Sequence, residues 1–524
     1  MDQQTLTKSM SQSSAECAPT NRSLRRIVFR NTSANLMRLA GAGILALILP
    51  PFLVRTLSTE TYSTWALLLQ LAAYVGFLDF GIQTAVSRFV AHADELGDIG
   101  QRDGIASTAL VLLTIISLTG CFIIAMVAWQ LPHLFRAMPA GVSGPAKVAL
   151  LVMGGSFALG LPFSVIHAVF IGLQRSEIPS GILVANRLLM TAMVAGLALK
   201  HSGIAYMAAG VALANVLSYG VSYLAWRVWA PHVRLDFALA SKDRAVEIGN
   251  YSLSLLAWLA ATLMISGLDL GLVGIFDYRA TAYYAVGVTL TNFVVQTQGT
   301  LFAALLPASA VLNARGDAEK LGTVLISSTR YGTLILLAMA LPLLLGGKFI
   351  LRLWVGADYA SHSILIMQIL VVANMVRLFT LPYATLLLGT GQQTKVIASP
   401  LAEGITNLAA SIIGVKLFGA VGVAIGTLVG SFVGVGLHLF YNMPRTSAMA
   451  IDRTSLLRDG LLRPLACGAP FLLVILLHSI APNIANSANA LLLTLAIVTS
   501  SWLFWSYGLM RSERRTLETL WRPS

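Results

Sequence analysis

Seven ionisable side chains of this sequence lie inside stretches that are otherwise apolar: Arg38, Asp79, Arg187, Asp269, Arg330, Arg377 and Glu403. An ionisable group at a bilayer centre costs about 2.5–3.5 kcal/mol on insertion scales, so it normally faces protein or water. Two chemistries fit these residues. Arginines in a wet cavity attract a diphosphate or anionic sugars, because the planar guanidinium holds phosphate in bidentate fashion. Arg187, Arg377, Arg330 and Arg38 are the candidates, with Asp269 beside them. Carboxylates at that depth, namely Asp79, Asp269 and Glu403, are candidates for taking up a coupling proton or sodium ion. The bland reading of the same residues is a set of ion pairs and snorkelling chains that lock helices together. Snorkelling suits Arg38 best, since it lies nearest the cytoplasmic edge.

Other chemistries lack their residues. The eight histidines are scattered without metal-ligand spacing, and no Gly-Lys-Ser/Thr phosphate loop is present. Cys17, Cys121 and Cys467 have neither metal nor redox spacing. No carboxylate pair stands on an outward loop, where a lipid-linked sugar transferase would need it. The expectation is therefore a protein without cofactor or metal, and not an enzyme. Asn31-Thr32-Ser33 has the form of a glycosylation sequon, but on the expected cytoplasmic side it carries no meaning.

The elements that must position these groups are membrane helices. The chain of 524 residues is 56% hydrophobic and 11% charged, with mean hydropathy +0.77, whereas soluble domains carry about 25% charged residues. At about 20 apolar residues per span, the apolar runs predict helices at 36–57, 62–90, 104–129, 148–172, 178–200, 204–229, 250–275, 280–306, 322–346, 363–388, 395–417, 420–441, 462–481 and 489–510. No cleavable signal peptide is expected, because the first run follows a long polar tail. The net charge of +13 is spread between spans rather than gathered in one patch, which argues against nucleic acid. Of the basic residues, 23 fall on one side of these spans and 8 on the other. The positive-inside rule then puts both termini in the cytoplasm and makes the chain an inner-membrane protein. The expected organisation is a cytoplasmic tail over 1–35, a six-helix lobe over 36–229 and a linker over 230–249. A second six-helix lobe follows over 250–441, then a linker over 442–461, two accessory helices over 462–510 and a basic tail over 511–524.

The two lobes read as copies. Asn31-Thr32-Ser33 and Asn250-Tyr251-Ser252 are 219 residues apart, as are Gly97-Asp98 and Gly316-Asp317. Leu161-Pro162-Phe163 and Leu381-Pro382-Tyr383 are 220 apart, while Pro179 and Asn186 match Pro400 and Asn407 at 221. A unit of six spans keeps its orientation when repeated, so the halves are parallel repeats that can place a cavity between them and rock around it. Gly422, Gly426, Gly430 and Gly434 form a smooth ridge that predicts close helix packing. Pro50, Pro51, Pro162, Pro342 and Pro382 predict kinks, with Pro50-Pro51 as hinge candidates.

Pro51, Arg55, Tyr62, Trp65, Asp79-Phe80-Gly81-Ile82 and Arg88, together with Asp269 and Tyr283-Tyr284, resemble the pattern of bacterial polysaccharide flippases. These belong to the multidrug/oligosaccharidyl-lipid/polysaccharide exporter superfamily. The sequence departs from that pattern at Ser63, where a glycine is usual. The resemblance implies an all-α fold of about fourteen transmembrane helices, with two pseudo-symmetric bundles and two extra helices. It implies alternating-access export of an undecaprenyl-diphosphate-linked oligosaccharide for surface polysaccharide or lipopolysaccharide synthesis. The implied partners are that lipid-linked oligosaccharide, membrane lipid, a coupling proton or sodium ion, and glycan polymerase machinery. Two alternatives stay open: a cation-coupled, multidrug-type antiporter of the same superfamily, and a membrane polysaccharide polymerase or ligase. The short outward loops speak against the latter.

Overall fold

A computed structural model describes residues 47–303, 305–392, 396–480 and 486–509. Arg38, the tails over 1–35 and 511–524, and Cys17 lie outside the described residues. The described chain is helical, with no β-strand among the described residues. Eleven of its helices are long and apolar enough to cross a membrane, or twelve if the pair Lys242–Leu253 and Leu255–Gly267, bent by 45°, is one span. The chain is thus a polytopic membrane protein. The sequence-based count of fourteen meets eleven to twelve by this measure among the described residues.

The first expected span is seen as α1, Leu47–Thr56, which runs through Pro50 and Pro51 without a break. The second is split into α2 (Thr59–Ala73), a tight turn (Tyr74–Asp79) and α3 (Ile82–Glu95). Phe80 and Gly81, at φ 49° and 80°, separate the pieces. Then come α4 (Ile99–Leu134), α5 (Ala140–Leu159), α6 (Leu161–Gly172), α7 (Glu177–Leu199) and α8 (Ile204–Trp229). The second half opens with α9 (Lys242–Thr262), which starts eight residues before the expected span at 250. A widened turn (Leu263–Gly267) leads to α10 (Asp269–Phe276). It continues as α11 (Ala280–Ala303), α12 (Leu305–Ala314), α13 (Ala318–Leu345) and the short α14 (Gly347–Val355). Next are α15 (Ala357–Leu378), α16 (Leu381–Thr390), α17 (Ala398–Phe418) and α18 (Ala420–Leu437). Finally α19 (Arg463–Ile480) and α20 (Asn486–Leu503) pack against each other, and α19 packs on α13.

Local structure repeats where the sequence does. Gly97 and Gly316 both adopt φ 68°, a left-handed conformation that glycine takes at no steric cost. The aspartates that follow cap the next helices. Asp98 accepts from Gln101 N at 2.8 Å at the start of α4, and Asp317 accepts from Lys320 N at 3.0 Å at the start of α13. Pro162 and Pro382 sit in the first turns of α6 and α16, each the second piece of a broken span. There the missing N–H interrupts no intrahelical bond. The segments after the sixth and twelfth expected spans each bond the helix that follows a Gly-Asp pair. Asp236 N donates to Ser107 in the third turn of α4 at 3.1 Å, and Ala450 N donates to the Ala318 carbonyl of α13 at 3.0 Å. Pro342, expected to kink its span, lies in the last turn of α13 without ending it.

The glycine ridge of α18 lies against α17. A Cβ on Gly422 would meet the Gly414 carbonyl oxygen at 1.9 Å, and one on Gly426 would meet Ser411 Oγ at 2.2 Å. Backbone cannot yield there, so Gly422→Ala should destabilise the protein by about 1–3 kcal/mol through overpacking. A Cβ on Gly436 would have nothing within 4 Å, so Gly436→Ala is the silent control. Thermal unfolding in detergent compares the two, and equal midpoints would contradict this account of the ridge.

Candidate functional site

The two halves enclose a cavity of about 870 Å³. The first half contributes α1, α2 and α7; the second contributes the turn before α10, α10 itself, α11, α15 and α18. Along α11 it runs from Tyr284 to Ala303, about 28 Å of helix at 1.5 Å per residue. Its wall is mixed: Trp65, Leu69 and Leu270 are apolar, while Gln70, Asn292 and Gln296 offer hydrogen bonds.

The cavity gathers some of the expected residues and not others. Arg187 reaches it from α7 as an exposed side chain, and among the described residues it has no hydrogen bond or ion pair. Arg377 reaches it from the last turn of α15, half-buried, and donates to Asn374 Oδ1. Asp269, buried at the start of α10, lines the wall, and so does Pro50 but not Pro51. Arg330 is fully buried in α13 with its Cζ 5.2 Å from the Tyr331 ring centre, and it lines no part of the cavity. Asp79 ends the turn after α2 and accepts from Gln83 N at 3.3 Å, so it caps α3 outside the cavity wall. Glu403 is buried between α17 and α18, also off the wall.

Asp269 owes its position to a broken helix. The widened turn before it leaves carbonyls without intrahelical partners, and these must be satisfied from elsewhere. Asn407 Nδ2 donates to the Met264 and Ile265 carbonyls at 3.1 and 2.5 Å. Gln70 Nε2 donates to the Gly267 carbonyl at 3.2 Å, and the Tyr74 hydroxyl donates to the same oxygen. The break in the second half is therefore held partly by α2 and its following turn in the first. The Asp269 carboxylate accepts from Tyr284 OH at 3.2 Å and from Thr427 Oγ1 at 3.1 Å. Thr427 Oγ1 also lies 3.2 Å from the Val423 carbonyl, and Ser411 Oγ reaches the same carbonyl at 3.2 Å. Carboxylate, hydroxyl and carbonyl oxygens thus stand side by side, a donor set suited to a proton or a small hard cation.

At the end of the cavity expected from the charge bias to face outside, the halves are latched. Ser63 Oγ accepts from Ala282 N at 3.1 Å, and Thr64 bonds the Tyr278 hydroxyl. Glu60 pairs with Arg279 at 3.1 Å, but Arg279 is 82% exposed, so this pair contributes little. Tyr359 meets Tyr62 edge-on with ring centres 6.2 Å apart, and meets Tyr283 at 5.0 Å. Arg55 of α1 donates to the Leu353 carbonyl of α14 at 3.3 Å, and Trp354 Nε1 donates back to the Leu47 carbonyl at 2.8 Å.

Sequence reasoning missed most of these partners. Asn407 was visible only as a repeat mark and Tyr284 only through the resemblance. Gln70, Thr427 and the Ser63–Ala282 contact carried no signal of their own.

Comparison with known proteins places this architecture. The fold is shared with the lipid II flippase MurJ in an inward closed conformation, at TM-score 0.69 and 11% identity, over 91% of this chain and 98% of that one. It is shared too with a multidrug resistance MATE family transporter of the MOP superfamily. The inward-facing form of that transporter gives TM-score 0.61 at 17% identity, over 81% of this chain and 99% of that one. The outward-facing form gives 0.60 at 15%, over 82% and 96%. In sequence, the chain is 24% identical over 343 residues to the uncharacterized membrane protein EpsK of Bacillus subtilis (strain 168). That match covers 63% of this chain and 66% of EpsK, just under two thirds of the relative's length. No protein-family model matches the sequence.

Proposed function

We propose that this protein is a flippase. It moves an undecaprenyl-diphosphate-linked oligosaccharide across the bacterial inner membrane by alternating access, for surface polysaccharide synthesis, with a proton or sodium ion bound at Asp269 as the coupling species. The observation that carries the reading is the cavity between the halves, with Arg187 on one wall and Arg377 on another. A diphosphate carries at least two negative charges. One arginine from each half lets both halves hold it while they rock, and the guanidinium fork matches phosphate geometry. Arg187 supports this most directly, because a cation without a protein partner among the described residues is available to a ligand. The MurJ likeness covers more of the chain than the MATE likenesses do, 91% against 81% and 82%, and MurJ is itself named a lipid II flippase. Both termini lie in the cytoplasm in this reading, and glycan polymerase machinery receives the product outside.

A second reading, a cation-coupled antiporter of small molecules, draws on the MATE likeness and on Asp269. Native mass spectrometry of the purified protein separates the two. Undecaprenyl diphosphate should be retained in preference to undecaprenol, and Arg187→Ala with Arg377→Ala should abolish that preference. Equal retention of the two lipids would refute the flippase reading. Displacement of a bound aromatic cation by sodium or protons would favour the antiporter.

A further inference from the structure

The cavity face of α11 carries a ladder of uncharged polar side chains. Asn292, Gln296 and Thr300 recur every four residues, so they lie on one side of the helix, and all of them line the cavity. The rungs span about 12 Å at 1.5 Å per residue. Asn292 and Gln296 are exposed to the cavity and Thr300 is half-buried. Among the described residues, no hydrogen bond reaches any of these side chains. Other polar side chains of α11 are engaged. Gln298 is fully buried, and its Nε2 donates to the Gly332 carbonyl at 3.1 Å. Thr291 and Thr297 donate to carbonyls of their own helix at 2.9 and 2.8 Å. A polar group taken from water is costly unless it is hydrogen-bonded. Gln298 is satisfied inside the protein, whereas Asn292 and Gln296 are left for water or a ligand.

The ladder stands beside the arginine of the second half. Helices α11 and α15 run parallel. Tyr283 meets Tyr359 with ring centres 5.0 Å apart, and a Cβ on Gly287 would lie 3.4 Å from both Ile366 Cγ2 and Met367 N. Arg377 follows Met367 by as many residues as Thr297 follows Gly287, which puts it level with Gln296 and Thr297. Asn292 is then one turn nearer the latch, and Thr300 one turn further from it. The other charges on the described wall are Arg187 and Asp269. Asp269 is buried and already accepts from Tyr284 and Thr427. Once a diphosphate occupies Arg187 and Arg377, no cation among the described wall residues remains for an acidic sugar. Across the cavity the first half presents Leu69, Leu183 and Met190. Its one amide among the described wall residues, Gln70, is engaged at the Gly267 carbonyl. Free amides are thus concentrated on α11.

We propose that Asn292, Gln296 and Thr300 bind the sugars next to the diphosphate, and that the transported glycan is uncharged there. This assignment rests on the flippase reading, with Arg187 and Arg377 on the diphosphate. Each amide offers a carbonyl that accepts and an NH2 group that donates, so it can bond neighbouring hydroxyls of a sugar ring or an N-acetyl group. Thr300 adds a hydroxyl that does both. An uncharged sugar needs only such neutral partners. A uronate brings a carboxylate, and moving it out of water without a cation to meet it is strongly disfavoured. The ladder therefore selects on sugar charge as well as holding the sugars. All its rungs belong to the second half, so the sugars stay with that half while the diphosphate bridges both.

Native mass spectrometry of the purified full-length protein tests this with a small set of lipids. They are undecaprenyl diphosphate, the same lipid bearing an N-acetylglucosamine–galactose disaccharide, and the same lipid bearing N-acetylglucosamine–glucuronic acid. The wild type should retain the neutral disaccharide lipid over each of the others by roughly tenfold. Asn292→Leu with Gln296→Met and Thr300→Val keeps side-chain size and strands no partner among the described residues. That combined variant should lose most of the neutral lipid's advantage over the bare one. Gln296→Arg supplies a cation instead, and should raise retention of the acidic lipid to at least that of the neutral one. It decides the matter even if the combined variant does not fold. The ladder is ruled out by a wild type that does not prefer the neutral lipid over both others. It is ruled out equally by unchanged ratios in the folded combined variant or in Gln296→Arg. A wild type that does not distinguish undecaprenyl diphosphate from undecaprenol defeats the flippase reading instead, while the ratio of neutral to acidic lipid still decides whether the ladder selects on sugar charge.

Discussion

Export of surface glycan should fall by roughly thirty-fold or more when Arg377 is replaced by alanine, and by a similar factor for Arg187→Ala. Truncating one partner of a desolvated charge pair costs about 2–5 kcal/mol, and each arginine is proposed to contribute such a pair with the diphosphate. The two variants should differ in their side effects. Arg187 is exposed to the cavity and has no hydrogen bond or ion pair among the described residues, so its loss strands no buried group and membrane abundance should be unchanged. Arg377 lines the same cavity as the buried Asp269. Its loss removes a positive charge from the surroundings of that carboxylate, so abundance should drop moderately and ion coupling should change as well. Lysine at either position should rescue partly, since charge survives without the bidentate fork. Membrane abundance and surface glycan, measured on the same cells, decide the matter. Normal export by a well-expressed alanine variant would remove that arginine from the substrate site. Loss of the Arg187 variant from the membrane would show that it has a structural partner after all.

The parts of this architecture that were legible in the sequence are those where one residue type is demanded by local backbone. Gly97-Asp98 and Gly316-Asp317 show a positive φ followed by a cap, and each can be read without knowing any neighbour. The glycines of α18 were legible for the same reason, because close approach leaves no other choice. The face each buried charge presents was not legible. Arg187 and Arg330 are equally deep by position, yet one faces the cavity and the other is enclosed. Helices in lipid are apolar all round, so periodicity does not mark the inward face as it does in a water-soluble bundle. The partners of Asp269 were hidden for a related reason. Tyr284 and Thr427 lie 15 and 158 positions away, and only the rotation of α11 and α18 about their axes brings them to one carboxylate. The break at 263–267 was hidden because its cause is tertiary: Asn407, Gln70 and Tyr74 accept the burden of carbonyls that no local residue satisfies.

A disulfide between cysteines placed at Ser63 and Ala282 should stop transport completely, and reduction should restore it. The Ala282 N–H meets Ser63 Oγ at 3.1 Å, and both residues are buried in the latch. They belong to α2 and α11, one in each half, so the bond would tie together surfaces that must part for the cavity to open outward. The surrounding contacts differ in what they would resist. The Glu60–Arg279 pair is solvated and yields at little cost. The Tyr62 and Tyr359 rings and the Ser63 and Thr64 hydrogen bonds are shielded, and opening would wet all of them together. Such a latch favours one closed state over a continuum of partly open ones, as two-state packing requires. A covalent tie should hold the closed state indefinitely, whereas Ser63→Cys or Ala282→Cys alone should transport at nearly the wild-type rate. The experiment needs a background without Cys17, Cys121 and Cys467, and uses surface glycan or vesicle uptake before and after reductant as its readout. Full transport by the cross-linked protein would mean that substrate leaves without separation of the halves at this end, and alternating access through the latch would have to be given up.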